Sequence, residues 1–218
     1  MSKGAIFDMD GVLADTEPAY IEVNRRFLTA CGVDFSKLDY SEFIGISAPL
    51  MWGRLKERYS LPQTVEWLIA NEHDSFNKYV QAFDSLPHFT GIDKLLNRLS
   101  EQNYRISIAS SSFRKNVDLV LNKTGLRKYF HEIVSGEEVV NGKPAPDIFL
   151  LAAKKLNLSP SECFVIEDSN NGLRGAIGAG MKCIGFRNPT SGNQDLSAAT
   201  FLIDDFSDSV IEKIISFQ

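Results

Sequence analysis

Asp8 and Asp10 stand two residues apart at the end of the short apolar run Ala5-Ile6-Phe7, and Gly11 follows them. In an extended strand, residues i and i+2 point to one side, so the two carboxylates can converge on one site. Gly11 lets the chain leave the strand in a conformation that a side chain would oppose. Close carboxylates repel unless a cation or a shared proton sits between them, and Mg²⁺ is the expected cation. Three other stretches bring complementary groups. Ser110 and Ser111 follow the apolar stretch 106–109, where a hydroxyl and backbone N–H groups at a helix start favour an anion. Gly142-Lys143-Pro144-Ala145-Pro146-Asp147 holds a cation between a glycine and two prolines. Glu167-Asp168-Ser169 follows Phe164-Val165-Ile166 and adds two more acids. Each stretch alone has an ordinary use as an acidic turn, a helix cap or a solvated lysine. Together they make a cation-and-anion site suited to a phosphate.

These groups must be carried by elements that bring distant stretches to one edge. Residues 16–30 read as a helix, with Tyr20, Val23, Phe27 and Leu28 at helical spacing and Gly32 as a stop signal. Two shorter helical patterns fill 39–59, broken around Gly45-Ile46-Ser47-Ala48-Pro49, and a third runs over 64–83. Trp52 and Trp67 fall in this segment and read as core residues. From residue 86 strands alternate with helices: strands at 104–109, 131–135, 163–166, 182–186 and 201–203, and helices at 92–102, before Gly125, and at 146–156, 171–180 and 209–215. Thr90-Gly91-Ile92-Asp93 and Ser159-Pro160-Ser161-Glu162 both read as capping boxes. Repeated strand–helix units predict a parallel sheet covered on both faces. The expected fold is therefore α/β, a Rossmann-like doubly wound parallel sheet made of residues 1–15 and 84–218, with an all-helical insert over 16–83. Such sheets bind ligands outside the carboxyl ends of their strands. An insert leaving just after the first strand is placed to act as a lid there.

Size and composition narrow the function classes. The chain has 218 residues, a net charge of −5 and no basic stripe, which argues against nucleic acid as a partner. No stretch approaches the roughly 20 apolar residues of a membrane span, so no membrane partner is expected. The few apolar residues before Asp8 are too short for a signal peptide. Three scattered cysteines (Cys31, Cys163 and Cys183) suggest neither a disulfide framework nor a zinc site. A reducing cytoplasm and a monomer are the expectations.

The ordered set DxDGxxxDT, a Ser after the next core strand, GKPxPD, and ED before a glycine-containing helix resembles the haloacid dehalogenase superfamily. Within it, the chain is similar to the β-phosphoglucomutase-like branch with a helical cap, over essentially its whole length. The resemblance implies that Asp8 is a nucleophile forming an aspartyl-phosphate, and that Asp10 is the general acid and base. It implies Mg²⁺ held by the Asp8 carboxylate, the Asp10 backbone carbonyl and Asp168, with Glu167 close behind. Ser110, the Ser111 amide and Lys143 would bind the phosphoryl group. Thr16 would hydrogen-bond near Asp10, and Asn171 with Gly172 would orient the last motif. Haloacid dehalogenation needs no leaving-group acid, so Asp10 favours a phosphate substrate.

The mutase pattern places a His where this chain has Tyr20, and an Arg after G-x-S where it has Ala48. An Arg there would grip a second phosphate bidentately, and alanine cannot. The expectation is thus a phosphatase acting on a small phosphorylated metabolite, a sugar phosphate among the options, with Tyr20, Trp52 and Arg54 as candidate cap contacts. The alternatives are a phosphomutase with altered cap contacts and a phospho-acceptor signalling domain.

Overall fold

The computed structural model describes residues 3–217. Its centre is a parallel sheet of six strands: β1 (Gly4–Phe7), β2 (Arg105–Ala109), β3 (Glu132–Val134), β4 (Cys163–Glu167), β5 (Lys182–Phe186) and β6 (Phe201–Ile203). Their order is β3-β2-β1-β4-β5-β6. The chain winds outward from β1 in one direction, then returns to β4 and winds in the other, so the topological switch falls at β1 and β4. Register places Phe7 opposite both Ile108 and Ile166. The residues that follow these three strands therefore emerge side by side at one edge.

Alternation along β1 sorts its side chains between two layers. Ala5 and Phe7 join a cluster with α4 (Ile92–Glu101), α5 (Arg114–Thr124) and α8 (Asp208–Ser216). Ile6 faces the opposite cluster, built with α6 (Asp147–Lys155) and α7 (Asn170–Gly178). Both faces being covered, every residue of β1 and β4 is buried, and β1 and residues 163–166 of β4 are wholly apolar. Cys163 and Cys183 are buried in the second layer, as small apolar residues would be.

Between β1 and α4 lie α1 (Glu17–Ala30), α2 (Ala48–Tyr59) and α3 (Val65–Gln81). They enclose an apolar cluster of their own, in which Leu28, Trp52, Leu55 and Leu68 are buried. Phe76 and Val80, further along α3, instead join the cluster on the sheet. One helix thus has its two halves in different cores. No helix among the described residues is long and apolar enough to cross a membrane.

Two local expectations are corrected. Thr90 caps nothing: Gly91 is the N-cap of α4, at φ 90°, with no side-chain cap. A Cβ on Gly91 would stand 2.1 Å from the Phe206 carbonyl oxygen, so close packing as well as backbone conformation demands glycine there. Trp67 is 47% exposed, lying on the outer face of α3 rather than in a core. The Ser159 box does form, with Ser159 N–H donating to Glu162 Oε2 at 2.8 Å.

Candidate active site

The strand ends deliver the charged groups together. Asp8 continues the ladder of β1 by donating its N–H to the Ile166 carbonyl at 3.0 Å. Its carboxylate Oδ1 accepts from Lys143 Nζ at 2.6 Å, and the same ammonium donates to Glu167 Oε1 at 2.6 Å. Lys143 is completely buried. Glu167 Oε2 accepts from the N–H and the hydroxyl of Ser169, at 3.0 and 2.9 Å. Asp8, Glu167 and Asp168 each offer an oxygen within 4.8 Å of the others. Two glycines make room for this cluster. A Cβ on Gly11 would lie 2.0 Å from Asp168 Oδ2, and one on Gly172 would lie 1.8 Å from Glu167 Oε1.

Asp10 faces different neighbours. Its carboxylate accepts from Thr16 Oγ1, from Ser112 Oγ at 2.7 Å and, weakly, from Ser110 Oγ at 3.4 Å. Its side chain stands apart from the three-carboxylate cluster, leaving only its backbone carbonyl as the ligand the resemblance implies. Ser112 was not singled out in the sequence, where it is merely the third of three serines. Ser110 is buried, and its oxygen also accepts from the Ser112 N–H at 3.1 Å. Ser111 Oγ and Asn171 Nδ2 reach the other way, donating to the Gly45 and Ile44 carbonyls at 3.1 Å each. These two residues connect the sheet edge to the loop before α2. Asp168 is oriented by Ser191, which donates to Oδ2 and itself accepts from Asn188 Nδ2 at 2.8 Å. Nothing local in the sequence marks Ser191, because its partner Asp168 is 23 residues away.

The electrostatics show a deficit of positive charge. Burial opposes the charge on Lys143, but Asp8 and Glu167 outweigh it and hold the ammonium protonated. Burial raises the Asp8 carboxyl; Lys143 opposes that rise, while Glu167, Asp168 and Asp10 add to it. Burial, with Glu167 beside it, likewise lifts Asp168 to about 8. One ammonium does not balance three buried carboxylates, and a divalent cation with hard oxygen ligands fits the donor set. Asp10 is also raised, by burial against the hydrogen bonds from Thr16 and Ser112. An elevated carboxyl is what a group that gives up a proton near neutral pH needs.

A cavity separates this edge from the helices of the insert. Asp8, Asp10, Ser111 and Ser112 line one side; Tyr20, Ala48, Met51 and Glu72 are among the residues on the other. Tyr20 shares a hydrogen bond of 2.9 Å with Ser112 Oγ, accepts from Asn116 Nδ2 at 3.0 Å and stacks on Phe76 with ring centroids 4.0 Å apart. Of the other two expected cap contacts, Trp52 lies behind the cavity wall and Arg54 is exposed outside it. Glu17 and Glu72 line the cavity without having been expected there. A signal for Glu72 was available: Leu68, Glu72, Phe76 and Val80 share one four-residue spacing, so a carboxylate interrupts the buried stripe of α3.

The sequence profile of the haloacid dehalogenase-like hydrolases matches residues 5–186, a span that includes every one of these strand ends. The chain belongs to that family. As a haloacid dehalogenase-like hydrolase of the β-phosphoglucomutase-like branch, it is similar to the phosphorylated carbohydrates phosphatase of Thermotoga maritima, at 32% identity over 189 residues, covering 84% of this chain and 83% of that one. It is 29% identical to the β-phosphoglucomutase of Bacillus subtilis over 216 residues, covering 96% and 92%. The crystal structure of CbbY from Rhodobacter sphaeroides in complex with phosphate superposes with a TM-score of 0.84 at 26% identity, covering 95% of this chain and 96% of that one. This haloacid dehalogenase-like hydrolase is a phosphoric monoester hydrolase. The doubly wound parallel sheet expected from the sequence is the fold observed.

Proposed function

We propose that the chain is a Mg²⁺-dependent phosphatase of a small phosphorylated metabolite, working through an aspartyl-phosphate on Asp8, with residues 16–83 as the cap over the site. The observation that carries this reading is the opposed environment of two carboxylates: Asp8 against Lys143, and Asp10 among hydroxyls. Asp8 Oδ1 is held by the ammonium, leaving its other oxygen to attack phosphorus as the ester oxygen departs. Asp10, with its raised carboxyl, protonates that leaving oxygen and then takes a proton from the water that hydrolyses the acyl phosphate. Lys143 neutralises charge that would otherwise repel the incoming phosphate dianion. Ser110 and the Ser111 amide, at the end of β2, orient the phosphoryl oxygens. Mg²⁺ would be held by Asp8, Asp168 and the Asp10 carbonyl, and would supply the charge that screens phosphate from the carboxylates. Phosphoryl transfer rests mostly on such positioning and charge stabilisation.

The cap reading is supported by the separate apolar cluster of α1–α3 and by the Ser111 and Asn171 hydrogen bonds to its loop. The phosphatase is favoured over a phosphomutase by Ala48, which lines the cavity where a guanidinium would have to grip a second phosphate. The test is phosphate release from a panel of phosphorylated metabolites, with Mg²⁺ and with chelator, using Asp8→Asn as control. Metal-dependent release that the variant lacks is expected. Full activity in Asp8→Asn, or isomerisation of a sugar phosphate without release, would overturn it.

A further inference from the structure

Among the described residues, the cavity wall facing Asp10 has no Lys or Arg side chain; its carboxylates are Glu17 and Glu72, with His73 and two tyrosines beside them. Glu72 is the unusual one. It sits mid-way along α3, 7% exposed, between Leu68 and Phe76 in an otherwise apolar stripe. Asn24 Nδ2 donates to its Oε1 at 2.5 Å and Trp52 Nε1 donates to its Oε2 at 3.0 Å. Both donors are neutral, and no ion pair to Glu72 occurs among the described residues. Burying a carboxylate without a counter-charge costs several kcal/mol, so helix packing alone would favour an apolar residue here. Asn24 and Trp52 use one acceptor position on each oxygen. A carboxylate has about four such positions, so acceptor capacity remains on a residue that lines the cavity.

We propose that Glu72 is a specificity-determining residue, which accepts hydrogen bonds from hydroxyl groups of the substrate's leaving group and excludes leaving groups carrying a second anion. The inference rests on the phosphatase reading above and adds the chemistry of the alcohol released. A neutral polyol or sugar satisfies the wall: its hydroxyls donate to Glu72, and its C–H faces lie against Met51, Ile46 and Phe113. A site built around a buried acceptor rejects an analogue that lacks the donor, because the acceptor is then left unpaired. A carboxylate or second phosphate meets the Glu72 carboxyl with no Lys or Arg beside it among the described lining residues, and burying a second acid there without a cation is costly.

Three six-carbon esters separate the possibilities: sorbitol 6-phosphate, hexyl phosphate and 6-phosphogluconate, assayed with Mg²⁺ alongside p-nitrophenyl phosphate. The wild-type enzyme should prefer sorbitol 6-phosphate in kcat/KM by at least about tenfold over the hexyl ester and about 100-fold over 6-phosphogluconate. Glu72→Gln keeps the shape but loses the charge. It should lower kcat/KM for sorbitol 6-phosphate about tenfold or more, mainly through KM, and leave the hexyl and nitrophenyl esters within about threefold. Ala48→Arg, which brings a cation to the cavity wall, should raise 6-phosphogluconate turnover selectively. Equal use of the three esters by the wild type would overturn the proposal. So would an equal loss on all substrates in Glu72→Gln, since that is the signature of a merely structural residue. Hydrolysis of p-nitrophenyl phosphate with none of the three esters used would also refute it, with the phosphatase intact. No release from any compound would remove the phosphatase reading itself, and this inference with it.

Discussion

The Thr16 hydroxyl donates to Asp10 Oδ1 and leaves the first turn of α1 without a side-chain cap, although Thr16 occupies the N-cap position. A cap hydrogen bond at such a position is worth about 1 kcal/mol, and here the hydroxyl is engaged elsewhere. Its geometry serves Asp10, and it ties that carboxylate to the first residue of the insert.

Thr16→Ala should therefore change catalysis more than stability. We expect kcat to fall roughly 10–100-fold, a part of the roughly 100–10,000-fold that general acid–base catalysis supplies, with an unfolding free energy within about 1 kcal/mol of wild type. Thr16→Ser should restore most of the rate. A steady-state comparison of the three proteins decides this, and equal kcat values would mean that the hydroxyl does not position Asp10.

Among the described residues, Lys143 is the single cation paired with Asp8 and Glu167, beside Asp168. Lys143→Met leaves buried carboxylates uncompensated and should cost about 3–5 kcal/mol in urea unfolding with chelator present. Millimolar Mg²⁺ should stabilise both proteins, by about 2.7 kcal/mol at 100 times its Kd. A Mg²⁺ shift missing from the wild type would count against a metal at this cluster.

Gly172 owes its identity to Glu167, not to its backbone. It lies in α7, and a Cβ would overlap both carboxylate oxygens of Glu167. Gly172→Ala ordinarily stabilises a helix; here it should destabilise by about 1–3 kcal/mol and displace the partner of Lys143. Circular dichroism melts of the alanine variant check the sign directly.

Glu72 makes a pH prediction. Burial, opposed by the Asn24 and Trp52 hydrogen bonds and helped by Asp10, lifts its carboxyl from an ordinary 4.5 to about 7. Other titratable groups around the same cavity are Asp8, Asp10, Glu17, Tyr20, Tyr40 and His73. Below pH 4.5 the group is protonated folded or unfolded and contributes no difference. Between 4.5 and 7 the folded state holds the extra proton, so stability falls as pH rises through the window. Above 7 the loss is complete, about 3 kcal/mol at 1.36 kcal/mol per pKa unit. Glu72→Gln removes that loss, and Asn24 can accommodate it, since its Oδ1 has no partner and can turn to accept from the new amide. Its stability relative to wild type should therefore grow from pH 5 to pH 8. Paired denaturant titrations at the two pH values would show a constant difference if Glu72 ionises freely.

Asp8, Asp10, Lys143, Glu167 and Asp168 were legible in the chain because each follows a strand or precedes a helix in an ordered set. Strand–helix alternation also determined the parallel sheet, since parallel strands need crossovers and crossovers need length. The tertiary structure alone decided how these groups divide. Lys143 went to Asp8 and Glu167, while Thr16 and Ser112 went to Asp10, pairings that span up to 135 residues. Hydrogen bonds of that reach depend on register and side-chain rotamer, which local patterns do not encode. Trp67 and Glu72 mark the same limit on α3. Helical periodicity located an apolar stripe, but only packing against α1, α2 and the sheet placed the tryptophan in solvent and the carboxylate in the cavity.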